Sequence, residues 1–165
     1  TEKEANEELL PVTSTDTIAL KDPVISEEPE VKPPKTELPV SKLAIGDTYD
    51  SGIVFAIDPS GQSGKIAHLD DAGPMSWQDA MIIHDQLGAG WRLPTFDELK
   101  TMYNTIGQGA DNKGEFSDGL YWSATDYDQY QARLLKFRNG NGSYHYNKAV
   151  ESRKFLVRAV RDFSR

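Results

Sequence analysis

The 165-residue sequence contains no cysteine. Disulfide frameworks, thiol nucleophiles and thiolate zinc sites are therefore excluded, while cytosol, periplasm and cell exterior all stay open. No window approaches the ~20 consecutive apolar residues that a membrane-spanning helix needs, and the first residues have neither the basic start nor the apolar run of a signal peptide. No membrane span is expected. Basic side chains are also in the minority, 18 against 26 acidic, for a formal net charge of −8. Unless positive charge is strongly segregated, such a chain has no electrostatic basis for gripping a phosphate backbone, and nucleic acid is not an expected partner. The length suffices for one modest core, or one core and a tail, but not for two full domains.

What is absent is also unevenly distributed. Residues 1–43 have no glycine and no aromatic residue, yet hold six of the nine prolines and ten acidic against five basic side chains. This region cannot build a core. Its stretch Glu27-Glu28-Pro29-Glu30-Val31-Lys32-Pro33-Pro34-Lys35 has the composition of an extended, polyproline-like spacer, which at ~3.1 Å per residue reaches roughly 100 Å over the region. A disordered linker or stalk is expected over 1–43, with at most a marginal short helix near Glu4 to Leu10. All sixteen aromatics and all thirteen glycines lie in residues 44–165, where 16 acidic and 13 basic side chains leave a net charge of −3. That region is the expected domain.

Within it, the β-branched run Gly52–Ile57, the turn Asp58-Pro59-Ser60-Gly61 and Lys65–Leu69 predict a hairpin. Ser76 is placed to cap a helix from about Trp77 to Leu87, with Trp77, Ala80, Met81, His84 and Leu87 at helical spacing and Gly88 as the stop. Thr95-Phe96-Asp97-Glu98 is a capping box and predicts a second helix, Phe96 to Asn104, burying Phe96, Leu99, Met102 and Tyr103. A glycine-rich and acidic loop, 107–119, leads to a strand at Leu120–Thr125. Gln131–Arg138 and Ser143–Asn147 flank Asn139-Gly140-Asn141-Gly142, a strong hairpin signal. The last strand, Lys154–Asp162, alternates Phe155, Val157 and Ala159 on one face with Leu156, Arg158 and Val160 on the other. Strands, two helices and strands again predict an α+β domain with the helices segregated from antiparallel sheet.

Four motifs in order, Trp77-Gln78-Asp79-Ala80, Gly90-Trp91-Arg92-Leu93-Pro94-Thr95 with Glu98-Leu99, Tyr121-Trp122-Ser123-Ala124-Thr125, and Val157-Arg158-Ala159-Val160-Arg161, resemble bacterial C-type-lectin-like domains. The resemblance is to the Lcl C-terminal domain family of collagen-like adhesins, with formylglycine-generating sulfatase modifiers as distant cousins, and covers most of residues 46–163. It implies a C-type-lectin-like fold whose N- and C-terminal strands pair, two helices packed on the sheet, and ligand contacts carried by long loops. It also implies an exported protein at the cell surface or in the periplasm, tethered to the outer membrane, with a possible lipid anchor upstream. The copper-dependent oxidation of the sulfatase modifiers needs cysteines that this chain lacks. The calcium-bridged sugar site of classical lectins needs Glu-Pro-Asn or Gln-Pro-Asp with a later Trp-Asn-Asp, and neither pattern occurs.

Little in the sequence points to catalysis. His68, His84 and His145 have no metal-ligand spacing, and no serine has the glycine-flanked elbow of a hydrolase, so no enzymatic activity is expected. Asp111, Asn112, Glu115 and Asp118 offer the hard oxygens calcium prefers, without EF-hand spacing; a solvated acidic loop is the favoured reading, and no cofactor is expected. Trp77, Trp91 and Trp122 are expected in the core. At least one of Arg92, Arg158 and Arg161 is expected to pair with Glu98 or Asp97 and tie the second helix to the last strand. The candidate binding residues are Tyr127, Tyr130, Arg133, Asn139, Asn141, Tyr144, His145 and Tyr146. These residue types combine rigid contact area with adaptable hydrogen bonds, and Tyr144 and Tyr146 are expected on one hairpin face beside the others. A binding module for glycan or surface protein is the leading reading; a structural or assembly subunit of an envelope or surface filament is the alternative.

Overall fold

The computed structural model describes residues 42–165. The linker expected before residue 42, with its short helix and its proline-rich spacer, lies outside the described residues. Two sheets and three short helices make up the domain. One sheet has the order β1 (Thr48–Tyr49), β2 (Gly52–Ile57), β3 (Ser63–His68) and β9 (Val160–Ser164). The other has the order β4 (Pro74–Met75), β8 (Phe155–Leu156), β5 (Leu120–Asp126), β6 (Gln131–Lys136) and β7 (Asn141–Asn147). All pairs are antiparallel except β5 with β8. The two terminal strands thus do not pair with each other: β1 and β9 are opposite edges of one sheet.

Local chemistry explains the turns. Asp50 and Ser51 both take positive φ, 44° and 64°, which is the two-residue turn that suits the twist of the β1–β2 hairpin. In the β2–β3 turn, Asp58 Oδ1 accepts from Ser60 Oγ and from the Gly61 N–H, each at 2.7 Å, while Oδ2 accepts from Ser63. The Ser63 and Ser60 hydroxyls hold this carboxyl well below the usual carboxylate range.

The first predicted helix is broken. Ser76 caps it as expected, accepting from the Asp79 N–H at 3.2 Å, but α1 (Trp77–Met81) ends at Ile82 and α2 (His84–Leu87) follows. The break at the β-branched pair shifts the phase: Ile83 is fully buried, while Met81 and His84, expected inward, face solvent. By contrast α3 (Phe96–Thr105) forms as predicted, one residue longer, with the full Thr95–Glu98 capping box and with Phe96, Leu99 and Met102 buried.

Two buried clusters fill the domain. Val54, Ile66, Trp91, Leu93, Trp122, Leu134, Val157 and Ala159 belong to one; Phe55, Leu99, Met102, Tyr121, Leu135, Phe137 and Val160 belong to the other. Both sheets contribute to each. All three tryptophans pack as expected, Trp122 with its indole N–H donating to Met75 O at 3.1 Å and the partly buried Trp77 donating to Ser123 O at 3.0 Å.

The predicted last strand splits in two. Phe155–Leu156 lies in one sheet and Val160–Ser164 in the other, with residues 157–159 crossing between them. The expected alternation survives the crossing: Val157 and Ala159 enter the first cluster, Val160 the second. Arg158, 1% exposed, points into the gap. Its Nε donates to Asp71 Oδ1 at 2.7 Å, and its Nη1 donates to the carbonyls of His68, Leu69 and Gly114 at 2.9 Å each. Tyr121 Oη completes the group, donating to Asp71 Oδ2 at 2.6 Å and accepting from the Ser117 N–H. Burial, and then the Asp71 carboxylate beside it, push this phenol far above its usual value.

The expected tie between α3 and the last strand is also present. Arg92 forks onto both Glu98 oxygens at 2.8 Å and reaches Asp162 at 3.0 Å; Lys65 bridges the same two carboxylates. Burial pushes the Glu98 carboxyl up, but the bonds from Arg92, the Thr95 N–H and Lys65 prevail and bring it down to about 2.

Because this folded-state value lies below the usual 4.5, the stabilisation is fully present above pH 4.5 and is lost as pH falls toward 2. The stability difference between wild type and Glu98→Gln, expected at about 2 kcal/mol near neutral pH, should therefore shrink below pH 4.5 and vanish near pH 2 in urea denaturation. Asp71→Ala leaves the Arg158 charge buried without its partner and is expected to cost about 3–5 kcal/mol. Adding Arg158→Met should recover much of that loss in thermal denaturation.

Candidate functional site

The candidate residues lie on the β5–β6 turn and the β6–β7 hairpin, and the pleat divides them. Register pairs Arg133 with His145, but Ala132 with Tyr146 and Leu134 with Tyr144. Since neighbours along a strand face opposite sides, the tyrosines share the face that buries Ala132 and Leu134. Tyr146 packs on Phe155 at 4.8 Å between centroids, beneath the Arg153 guanidinium. Tyr144 likewise packs against the first core cluster. The expectation that Tyr144 and Tyr146 stand beside Arg133 and His145 is therefore corrected: they lie on the reverse face.

The face they leave is built around Tyr127. Its ring lies parallel to the His145 imidazole, 3.8 Å between centroids and 2° between planes. His145 is fixed from its other side, where Nδ1 donates to Gln131 Oε1. The turn presenting Tyr127 is held by Asp128, whose Oδ1 accepts from the Tyr130 and Gln131 N–H groups, both at 2.8 Å. Tyr127 and Tyr130 are 51% and 64% exposed, so neither ring is committed to the core.

Arg133 lies between two aromatic rings, 5.7 Å from the Tyr127 centroid and 5.2 Å from that of Phe96. Lys100, one turn along α3 from Phe96, sits 4.7 Å from the same ring. Neither cation has a carboxylate in ion-pairing range among the described residues. Phe96 and Lys100 were not candidates from sequence, although their i, i+4 spacing on a helix places them side by side. A second signal was available in the charge order: residues 44–130 carry 14 acidic and 4 basic side chains, residues 131–165 carry 2 and 9. Of those nine, Arg133, Lys136 and Arg138 fall in the hairpin, 131–147, which carries no acidic side chain.

Asn139 and Asn141 occupy the far end of the hairpin. Asn139 Oδ1 accepts from the Asn141 N–H at 3.2 Å, and Asn141 Oδ1 from the Ser143 N–H at 2.9 Å, so both side chains brace the turn. The strands meet this turn differently than predicted, β6 ending at Lys136 and β7 beginning at Asn141, with a bulge opposite Leu135. Gly142 lies so close to Phe96 that a Cβ there would come within 2.3 Å of the ring.

The acidic loop is organised by the protein itself. Asn112 Oδ1 accepts from the Phe116 N–H at 3.0 Å, Asp118 accepts from Gln108, Asp111 pairs with Lys113 at 3.7 Å, and the Gly114 carbonyl is taken by Arg158. Among the described residues no three histidine or carboxylate side chains converge as a metal-binding group, and no helix is long and apolar enough to cross a membrane.

A mixed α/β domain of two sheets, with a basic, aromatic hairpin face, is the class these features define. The sequence matches the Lcl C-terminal domain over residues 56–161, and the chain belongs to that family. No curated protein matches it.

The two faces of the hairpin should respond differently to truncation. Tyr127→Ala removes an exposed ring and Arg133→Ala a partly buried guanidinium outside the two core clusters, and both are expected to leave the melting temperature within about 3 °C of wild type. Tyr146→Ala removes a packed ring and should lower it by about 5 °C or more in calorimetry.

Proposed function

We propose that this chain is a non-catalytic, exported binding module of C-type-lectin-like fold. It recognises an anionic glycan, or an acidic segment of a surface protein, through the face formed by Tyr127, Arg133 and His145, with Phe96 and Lys100 beside it. One observation carries the reading: Arg133, which has no carboxylate partner among the described residues, lies beside the stacked Tyr127–His145 pair and shares the Phe96 ring with the equally unpartnered Lys100, in a chain of net charge −8. A flat, rigid tyrosine–imidazole platform supplies contact area for a sugar ring or a planar side chain at little entropic cost. Arg133 supplies a forked donor that matches a carboxylate or sulfate. Tyr130 extends the platform along the turn, and recognition needs no bridging cation. Family membership supports the exported, surface-associated setting, with the acidic, proline-rich stretch before residue 44 acting as a spacer.

The test is an array of neutral, carboxylated and sulfated glycans probed with the full chain, in calcium and then in chelator, at low and physiological salt. Binding to acidic members in both media is expected, weakening as salt rises. Arg133→Ala and Tyr127→Ala are each expected to reduce affinity about tenfold. Silence on every glycan, together with co-purification of an envelope protein that survives both Arg133→Ala and Tyr127→Ala, would replace this reading with the assembly role.

A further inference from the structure

A cavity lies between the β1–β2 hairpin, the end of β3 and the acidic loop, and none of its lining residues belongs to the β6–β7 hairpin. It encloses about 420 Å³, within the range that accommodates small ligands. Its lining combines apolar Ile53 and Leu69 with Thr48, Asp70, Lys113 and Glu115. Leu69 is 45% exposed, an apolar side chain left partly open to solvent at the wall of a cavity.

The walls are fixed by buried chemistry. Arg158 donates to the Leu69 carbonyl on one side and to the Gly114 carbonyl on the other, both at 2.9 Å, so one enclosed guanidinium sets the width of the opening. Behind it, the Gly114 N–H donates to Ile106 O at 2.7 Å and the Glu115 N–H to Asn112 O at 2.9 Å. The Lys113 stem lies against Gly46, close enough that a Cβ at Gly46 would come within 2.9 Å of Lys113 Cδ. A cavity with pinned walls binds without the ordering cost that a loose surface loop imposes.

Charge decides what it takes. The Lys113 ammonium is already countered by Asp111 at 3.7 Å. Asp70 and Glu115 are exposed and have no cationic partner among the described residues. With Lys113 countered by Asp111 and the buried Arg158 by Asp71, the charge left uncompensated at the mouth is that of the Asp70 and Glu115 carboxylates, and it is negative. We propose that this cavity is a binding site for an aliphatic ammonium, its alkyl stem lying on Leu69 and Ile53 and its charged head meeting the Asp70 and Glu115 carboxylates. A free diamine and the lysine side chain of a protein partner share this chemistry. Anions are repelled by the same groups, so the site is independent of the hairpin face.

The test is titration of the isotopically labelled full chain with pentane-1,5-diamine, and separately with Nα-acetyl-lysine methylamide, followed by amide chemical shifts. Saturable shifts confined to Gly46, Leu69, Asp70, Gly114 and Glu115 are expected, with no response to hexanoate. Asp70→Asn with Glu115→Gln should weaken binding about tenfold or more while leaving the remaining spectrum intact. Leu69→Ala, which keeps both charges, should weaken it about threefold or more through the lost apolar contact. Response to the diamine alone identifies a free diamine as the ligand, and response to both probes admits a protein lysine. Shifts that fail to saturate, spread across the acidic surface, or persist unchanged in the double variant would overturn the proposal.

Discussion

The domain turns on one buried cation. Where the chain leaves one sheet for the other, residues 157–159 cannot complete a strand ladder in either, and a gap opens between β3, the acidic loop and the crossing segment. Arg158 fills it, exchanging hydration for the Asp71 carboxylate and for the carbonyls of His68, at the end of β3, and of Leu69 and Gly114, in the loops beyond. An arginine is suited to this because its planar fork can serve several acceptors at once. Its ring contact completes the enclosure, the guanidinium lying 4.3 Å from the centroid of Phe116. Both buried clusters meet at this crossing, so sheet packing, loop conformation and the cavity wall share one electrostatic anchor.

Periodicity and capping made much of this legible. The Thr95–Glu98 box and the spacing of Phe96, Leu99 and Met102 defined α3 to within a residue, because a capping box and a helical stripe are local features. Alternation in residues 155–160 correctly assigned Val157 and Ala159 to one interior and Val160 to the other. It carried no information on which sheet each residue joins, since that depends on partners far along the chain. The helix break at Ile82 was hidden for a similar reason. A continuous pattern from Trp77 to Leu87 satisfies the helical period, yet tertiary packing prefers to bury Ile83 and release Met81.

The site was legible in composition and illegible in geometry. Tyrosine, asparagine, arginine and histidine crowd the segment from Tyr127 to Tyr146, and their clustering marks the region. Which of them share a face depends on register, and the register put Tyr144 and Tyr146 with the core and Arg133 and His145 outside. Whole-chain net charge concealed the more useful quantity, the sign of charge along the sequence. A protein of net charge −8 still presents a cationic hairpin when its positive residues fall together near one end.

The bulge and the two asparagines at the start of β7 have a consequence for life in a crowd. β7 is the outer strand of its sheet, and a flat outer strand with free N–H groups invites pairing with any neighbouring chain. Here Asn139 and Asn141 occupy the N–H groups of Asn141 and Ser143, and the bulge bends the strand at the same point. A neighbouring chain that approaches the start of β7 thereby meets two N–H groups already taken and a strand bent out of line, so this edge withholds its backbone while leaving its side chains open.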